Sequence, residues 1–273
     1  MVFVLLLLIV IGSGLGLFVY PAWRQRRVLQ QPFPLAWLRL LDAKLSQLRK
    51  LAPDERQQLL DRMRLFLAEK HFHGCAGLTV TDTMRVVIAA QACLLLLNRS
   101  GGVFPTLRHV LIYPAMFRKE EEERNEDGTV SVVQQTLLGE SWGGHGGDGK
   151  VVLSWDDVEY DLAHGDDGEN VVLHEFAHQL DAENGSDNGA PILRHNDVER
   201  WKAVMEQEFN ELGRAVARGE ETFLDPYAAS TPAEFFAVLT ETFFEMPQAL
   251  RLSHPALYRE LRQYYCVDPV RWR

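Results

Sequence analysis

The segment Val171–Asp181, with the sequence VVLHEFAHQLD, constrains the fold more than any other part of the chain. His174 and His178 are four residues apart, so on a helix their imidazoles project from one face, about one turn apart. Two imidazoles placed in this way can hold Zn²⁺ and leave coordination positions open for water and substrate. Glu175 lies between them and can reach a metal-bound water as general base. The sequence therefore predicts a helix with a metal site on its polar face.

The other residues of this segment support a helix that is buried on its opposite side. The apolar residues of that side are Leu173, Phe176, Ala177 and Leu180. Asn170 is a favoured N-cap residue, and Asn184-Gly185 is typical of a helix end. Chance is the alternative explanation, because a short motif of this kind arises without function in on the order of one chain in a hundred.

A catalytic zinc needs a third protein ligand, and no third histidine follows at the spacing of the extended HExxHxxGxxH pattern. The aromatic segment 232–244 is the obvious source of a carboxylate ligand. Glu234 lies near its start but also completes a capping box with Thr231, so the pattern leaves it open between cap and ligand. Glu241, two turns on, is the competing ligand or an acceptor for an imidazole N–H. Asp181 is another such acceptor, or it caps the end of the first helix.

The N-terminal segment 2–20 consists almost entirely of Leu, Ile, Val, Phe and Gly. Its nineteen residues, at about 1.5 Å each, come close to the roughly 30 Å hydrocarbon thickness of a bilayer. Arg24, Arg26 and Arg27 follow at once, and positively charged flanks stay in the cytoplasm. We therefore expect a single-pass protein of the inner membrane with a cytoplasmic body. A poorly cleaved export signal is the alternative.

Patterns of apolar and charged residues predict the main elements of the body. The apolar run 86–97 is too short to span a membrane, which indicates a buried core helix. Segments 103–113, 129–138 and 150–155 are rich in β-branched and apolar residues and are predicted as strands. The charged run 118–127 is typical of a solvated loop. The expected fold class is α+β with a small mixed sheet.

The composition excludes several classes of function. There are 28 Lys and Arg against 38 Asp and Glu, which gives a formal net charge of −10. A chain this acidic is a poor candidate for neutralising phosphates, so we expect no direct binding to nucleic acid. The three cysteines lie far apart and form no CxxC pair, which excludes a disulfide framework and a cysteine-rich zinc module.

Two motifs in the chain carry a resemblance to a known family. HEFAHQLD, followed about fifty residues later by DPYAASTPAEFFAVLTETFF, resembles the Mlc titration factor A family of bacterial zinc peptidases. The resemblance extends to GESW, KVVLSWDDV and DPVRWR, and the same motifs are similar to the catalytic domain of anthrax lethal factor. It implies a zincin-like metallopeptidase domain with an active-site helix, and the N-terminal membrane anchor is a departure from the family. The expected divisions are an anchor (1–23), a basic juxtamembrane linker (24–34) and the domain (35–273), with an N-terminal helical and strand part (35–140) and a catalytic part (141–273).

The resemblance also implies the roles of individual residues. The family's third ligand is the glutamate of AEFF, here Glu234, and its catalytic tyrosine lies seven residues earlier, here Tyr227. His174, His178 and Glu234 would then hold one Zn²⁺ per chain, with Glu175 as general base. The implied activity is gluzincin-type, aminopeptidase-like hydrolysis of a peptide substrate. The implied protein partner is a transcriptional repressor of sugar-uptake genes.

Two other interpretations stay open. In the first, the chain is chiefly a membrane-tethered protein that sequesters the repressor, and its zinc site is structural or regulatory. In the second, the chain is a different zinc hydrolase, such as a deformylase or an amidase. The ligand sets of those enzymes usually include a cysteine or a third histidine near the motif, and this sequence places neither there.

Overall fold

The fold is described from a computed structural model, which covers residues 20–115, 117–124, 130–137, 139–142, 149–186 and 188–272. Residues 20–29 are helical. The helices that follow are α1 (Leu35–Lys44), α2 (Pro53–Glu69), α3 (Asp82–Leu94), α4 (Trp155–Ala163), α5 (Val171–Asp181), α6 (Val198–Ala217), α7 (Pro232–Glu245), α8 (Pro247–Ser253) and α9 (Pro255–Tyr265). The strands are β1 (His71–Gly74), β2 (Leu107–Tyr113), β3 (Phe117–Arg124), β4 (Val130–Leu137), β5 (Gly139–Trp142) and β6 (Gly149–Ser154).

Four of the strands form one sheet in the order β1-β2-β6-β5. β1, β2 and β6 are parallel, and β5 pairs with β6 in the antiparallel direction. The connection from β1 to β2 contains α3, whereas the connection from β2 to β6 contains the strands β3, β4 and β5. The prediction of an α+β chain with a small mixed sheet is confirmed.

The predicted loop at 118–127 is wrong over most of its length. β3 occupies residues 117–124 and pairs with β4 in a separate antiparallel ladder, from Phe117 opposite Leu137 to Arg124 opposite Val130. Charge alone does not prevent a strand where a β-prone partner supplies the backbone hydrogen bonds. The sequence pattern identified that partner but not the segment that pairs with it.

The core lies between the sheet and the helices around α3, which is buried along its whole second half and thus confirms the predicted core helix. α3 contacts α1, α2 and α5. Three phenylalanines connect α2, the loop before β2 and α5: the rings of Phe104 and Phe176 are 4.9 Å apart, and those of Phe66 and Phe176 are 5.7 Å apart. Such ring pairs stabilise a fold by about 0.5–1.5 kcal/mol beyond their burial. They fix the apolar face of α5 and leave its polar face directed away from the core.

The expected location in the inner membrane is contradicted by the structure. In the part of the chain that the structure covers, no helix is both long and apolar enough to cross a bilayer. The helical residues 20–29 contain three arginines, and Arg24 donates a hydrogen bond to the carbonyl of Ala68 (3.0 Å), so this helix lies against the end of α2. Residues 2–19 of the segment on which the expectation rested are not among those described.

Lys70, directly after α2, is a buried cation. Its Nζ donates hydrogen bonds to the carbonyls of Phe104 (2.8 Å) and Leu107 (3.0 Å), which fixes the start of β2 against the end of α2. Burial lowers the pKa of Lys70 from 10.5 to about 8. Lys70 is therefore a cation at neutral pH, and in the native state it loses its proton at a lower pH than in the unfolded chain.

The low pKa of Lys70 predicts a pH-dependent stability. Between pH 8 and 10.5 the unfolded chain binds more protons at this residue than the native chain, so its contribution to the free energy of unfolding rises with pH. Relative to Lys70→Met, the wild type should gain up to about 3 kcal/mol across this window. Urea unfolding at four pH values measures the difference. Lys202→Met, which removes an exposed ammonium, is the control, and its difference in unfolding free energy from wild type should not change with pH. A difference that is equally independent of pH in Lys70→Met would contradict the lowered pKa of Lys70.

Candidate metal centre

α5 begins and ends as its sequence predicts. The side chain of Asn170 accepts a hydrogen bond from the backbone N–H of Leu173 (3.0 Å), which is N-cap geometry. After Asp181 a short 3₁₀ turn (Ala182–Asn184) leads to Gly185, which has a left-handed backbone (φ +87°). The helix is therefore fixed at both ends, and His174 and His178 keep their one-turn spacing.

Three carboxylates hold the first turn of α5. Oε2 of Glu241 accepts from the N–H of Asn170 (2.5 Å), and Oδ2 of Asp161 accepts from the N–H of Val171 (2.8 Å). Oε1 of Glu245 accepts from the side-chain amide of Asn170 (2.9 Å). Helix N-termini favour negative charge because their N–H groups lack partners within the helix. These contacts attach α5 to α4 and α7.

Sequence analysis missed Asp161 and Glu245. Each lies on an otherwise buried side of its helix, where a carboxylate is costly unless it is hydrogen-bonded. In α4 the buried residues Trp155 and Val158 are followed three positions later by Asp161. An acidic residue on the apolar face of an amphipathic helix indicates a buried hydrogen bond, but the sequence does not identify the group that donates it.

His174, His178 and Glu234 come together in a compact triangle of donor atoms. The two Nε2 atoms are 3.2 Å apart, and Oε2 of Glu234 lies 3.1 Å from Nε2 of His174 and 3.4 Å from Nε2 of His178. Ligands at about 2.0–2.1 Å from a tetrahedral zinc ion lie roughly 3.3 Å from one another. The triangle therefore has the dimensions of one face of a zinc coordination shell, and the three residues fit a metal ion.

Glu234 takes part in the helix cap through its backbone, while its side chain points to the two histidines. Its backbone N–H donates to the Thr231 hydroxyl (3.1 Å), so the residue takes part in the N-cap of α7. Its carboxylate turns toward the two imidazoles, which hold the pKa of Glu234 well below its ordinary value even though burial opposes this. The cap thus orients the backbone so that the side chain reaches the triangle.

Glu241 determines the orientation of one imidazole. Its Oε1 lies 2.7 Å from Nδ1 of His174. Burial alone would lower the pKa of His174, but the carboxylates of Glu241 and Glu234 raise it well above 6.5. Because Nδ1–H donates to Glu241, the lone pair of the neutral ring is left on Nε2, toward the triangle. Of the two roles considered for Glu241, the geometry favours the hydrogen-bond acceptor.

Glu175 and Tyr227 flank the triangle. Glu175 is 4% exposed, and burial raises its pKa to about 7 although both histidines favour the carboxylate. Tyr227 is on a 3₁₀ turn (Pro226–Ala229), with its ring centroid 6.4 Å from that of His174 and 56% of its surface exposed. Partial burial and the nearby Glu234 carboxylate raise the pKa of Tyr227 to about 12, so its hydroxyl keeps its proton at neutral pH.

Asp181 contacts the loop that leads from α5 to α6. Its Oδ2 accepts from the N–H of Gly189 (2.6 Å), and Gly189 has a left-handed backbone (φ +73°). A Cβ atom at Gly189 would lie 2.2 Å from the carbonyl oxygen of Pro232, in the first turn of α7. Sequence analysis did not identify Gly189, because such a close approach has no local pattern.

Comparison with known proteins places these features in a family. Residues 20–266 match the family model described as glucose-regulated metallo-peptidase M90. The chain belongs to this family. An uncharacterized protein of Synechocystis sp. is 40% identical over 271 residues, 97% of each chain. M90 membership confirms the resemblance noted in the sequence and implies a metal ion.

Two further relatives of this chain carry the name Mlc titration factor A. The protein of Pectobacterium atrosepticum is 33% identical over 225 residues, covering 81% of this chain and 82% of its own length. The protein of Yersinia pestis (strain Pestoides F) is 33% identical over 221 residues, 79% of each chain.

The hydrogen bond from His174 to Glu241 predicts a loss of metal affinity in Glu241→Gln. The amide is a weaker acceptor and no longer favours the Nδ1–H tautomer, so zinc affinity should fall about 10–100-fold. Competition with a chromogenic chelator measures it. Glu211→Gln, which changes an exposed carboxylate of α6, should bind zinc as wild type does; equal affinities in all three proteins would show that Glu241 does not orient the ring.

The contact between Gly189 and Pro232 predicts that Gly189→Ala weakens metal binding without altering a ligand. The methyl group would push the start of α7, and with it Glu234, away from the histidines. Gly185→Ala is a matched control, since Gly185 lies in the same loop, also has positive φ and has open space around its Cβ position. Both variants should lose about 1 kcal/mol of stability from backbone strain. Only Gly189→Ala should show lower zinc affinity, and a loss of similar size in both would refute the steric argument.

Proposed function

We propose that this chain is a zinc peptidase that hydrolyses peptide bonds, with one Zn²⁺ held by His174, His178 and Glu234. The observation that supports it best is the triangle of donor atoms with edges of 3.1–3.4 Å on the polar face of α5. When bound, zinc polarises the scissile carbonyl and lowers the pKa of a bound water toward about 7. The two histidines and one glutamate leave a coordination position for that water.

In this proposal Glu175 moves the proton. Its carboxylate is buried and interacts electrostatically with His174, His178 and Glu234, which places it beside the ligand triangle. A general base works best when its pKa is near the operating pH, and burial brings the pKa of Glu175 to about 7. Glu175 would accept a proton from the attacking water and deliver it to the leaving amine.

Tyr227 supplies the hydrogen bond to the developing oxyanion. Its ring lies at the exposed side of the triangle, where a substrate carbonyl has access. Because its pKa is raised to about 12, the hydroxyl remains a donor through the neutral range. The loss of one such donor usually lowers the rate about 10²–10³-fold.

Metal analysis combined with cleavage of amino-acid anilides tests the proposal. Wild type should contain one zinc per chain more than Glu234→Ala does, and it should hydrolyse anilides with a free amino group, since aminopeptidase-like activity is proposed. Glu175→Gln should keep the zinc and lose turnover, and Glu234→Ala should lose the zinc. Tyr227→Phe should keep the zinc and lose about 10²–10³-fold in kcat/KM.

Two results would count against this mechanism. Turnover by Glu175→Gln would show that Glu175 is not the base, and a zinc content of Glu234→Ala equal to that of wild type would show that Glu234 is not a ligand. N-acetylated anilides provide the substrate control, because an aminopeptidase needs the free amine and an endopeptidase does not.

A second candidate function is the binding of a transcriptional repressor of sugar-uptake genes. It is supported by the name of two relatives, Mlc titration factor A, which are 33% identical over about four fifths of this chain. Affinity measurement with a purified Mlc-type repressor tests it. Glu175→Gln should bind as wild type does if sequestration is independent of hydrolysis, and the absence of binding by wild type would exclude this function.

A further inference from the structure

Three histidines share one face of the sheet at its β1 edge. His71 and His73 are two residues apart on β1, so their side chains project to the same side. The strand register places His71 opposite His109 on β2, which adds a third imidazole to that side. The alternating residue Val110 is completely buried and faces the core, whereas His71 and His73 are exposed. The three imidazoles therefore lie on the outer face of the sheet.

The three rings are close to one another. Nε2 of His73 lies 2.9 Å from Nδ1 of His109, and the ring centroids of these residues are 5.1 Å apart. The rings of His71 and His109 are 5.7 Å apart and inclined by 30°. Two imidazole nitrogens bound to one transition-metal ion at about 2.0–2.1 Å lie roughly 2.9–3.3 Å apart. His73 and His109 already have this separation.

We propose that His71, His73 and His109 form a second metal site, which takes a divalent transition-metal ion of the kind that imidazole prefers, namely Zn²⁺, Ni²⁺ or Cu²⁺. His73 and His109 supply the first two nitrogens, and a rotation of the His71 side chain brings the third. Neutral imidazoles suit these ions, whereas Mg²⁺ and Ca²⁺ require oxygen ligands. Cys75, directly after β1, interacts with Tyr113 and is not part of the proposed ligand set.

The position of this site gives it a structural role. β1 has four residues and is the edge strand of the sheet, with β2 as its neighbour. An ion shared by His73 and His109 would cross-link the two strands on the side opposite the core. Since the unfolded chain does not preserve this arrangement, binding should stabilise the native state by an amount that rises with the logarithm of the ion concentration. The ligands are separate from α5 and α7, so the inference does not depend on peptidase activity.

Metal titration of the full chain tests the proposal. With Zn²⁺ alone as the probe, calorimetry should show one more bound equivalent in wild type than in the double variant His73→Gln/His109→Gln. His195→Gln is the matched control, because it removes a single exposed histidine that has no part in the cluster, and it should bind as wild type does. Equal stoichiometry in wild type and the double variant would overturn the proposal, whatever the number of other sites.

Further measurements exclude a folding defect in the double variant and identify the ligands. Circular dichroism establishes that the double variant is folded, and the single variant His73→Gln should by itself lose the additional equivalent. With Cu²⁺ as the probe, the electron paramagnetic resonance spectrum of wild type should show hyperfine splitting from imidazole nitrogens, absent in the double variant. Zn²⁺ should raise the unfolding midpoint of wild type more than that of the double variant. An identical rise in both proteins would also contradict the site.

Discussion

The metal centre depends on Glu241, a buried carboxylate of α7 that binds α5 through both of its oxygens. One oxygen accepts the backbone N–H at the start of α5, and the other contacts Nδ1 of His174. A buried carboxylate needs such partners, because its transfer from water is otherwise strongly unfavourable. The position of α5 and the orientation of the His174 imidazole are therefore determined by one residue. Glu234 lies on the same helix as Glu241, so α7 positions both carboxylates.

The centre also concentrates negative charge in a poorly solvated place. Burial raises the pKa values of both Asp161 and Glu175 to about 7, and nearby carboxylates add to the effect. The two histidines are the adjacent groups that can carry positive charge, and the pKa of His174 is raised accordingly. The carboxylates of such a site favour the binding of a cation, which agrees with the metal implied by membership in the M90 family.

Sequence analysis was most successful where one local pattern determines the structure. The periodicity of 171–181, the Asn170 cap and the apolar run of α3 all correspond to observed elements. Glu234 shows the limit, since pattern alone left it open and only the family resemblance selected the ligand role. What the pattern could not provide was contact between distant segments: the pairing of β3 with β4, the attachment of Asp161 to α5 and the approach of Gly189 to Pro232. Each depends on tertiary packing, which a single sequence does not display.

The distribution of the proposed ligands over α5 and α7 has a consequence for the whole chain. His178 and Glu234 are more than fifty residues apart in sequence, with all of α6 between them. An ion held by both closes a long loop, and in an unfolded chain the entropy cost of that closure is not offset by packing. Metal occupancy is thus linked to tertiary assembly. At the proposed site, occupancy by the ion would therefore require that α5 and α7 have docked against each other.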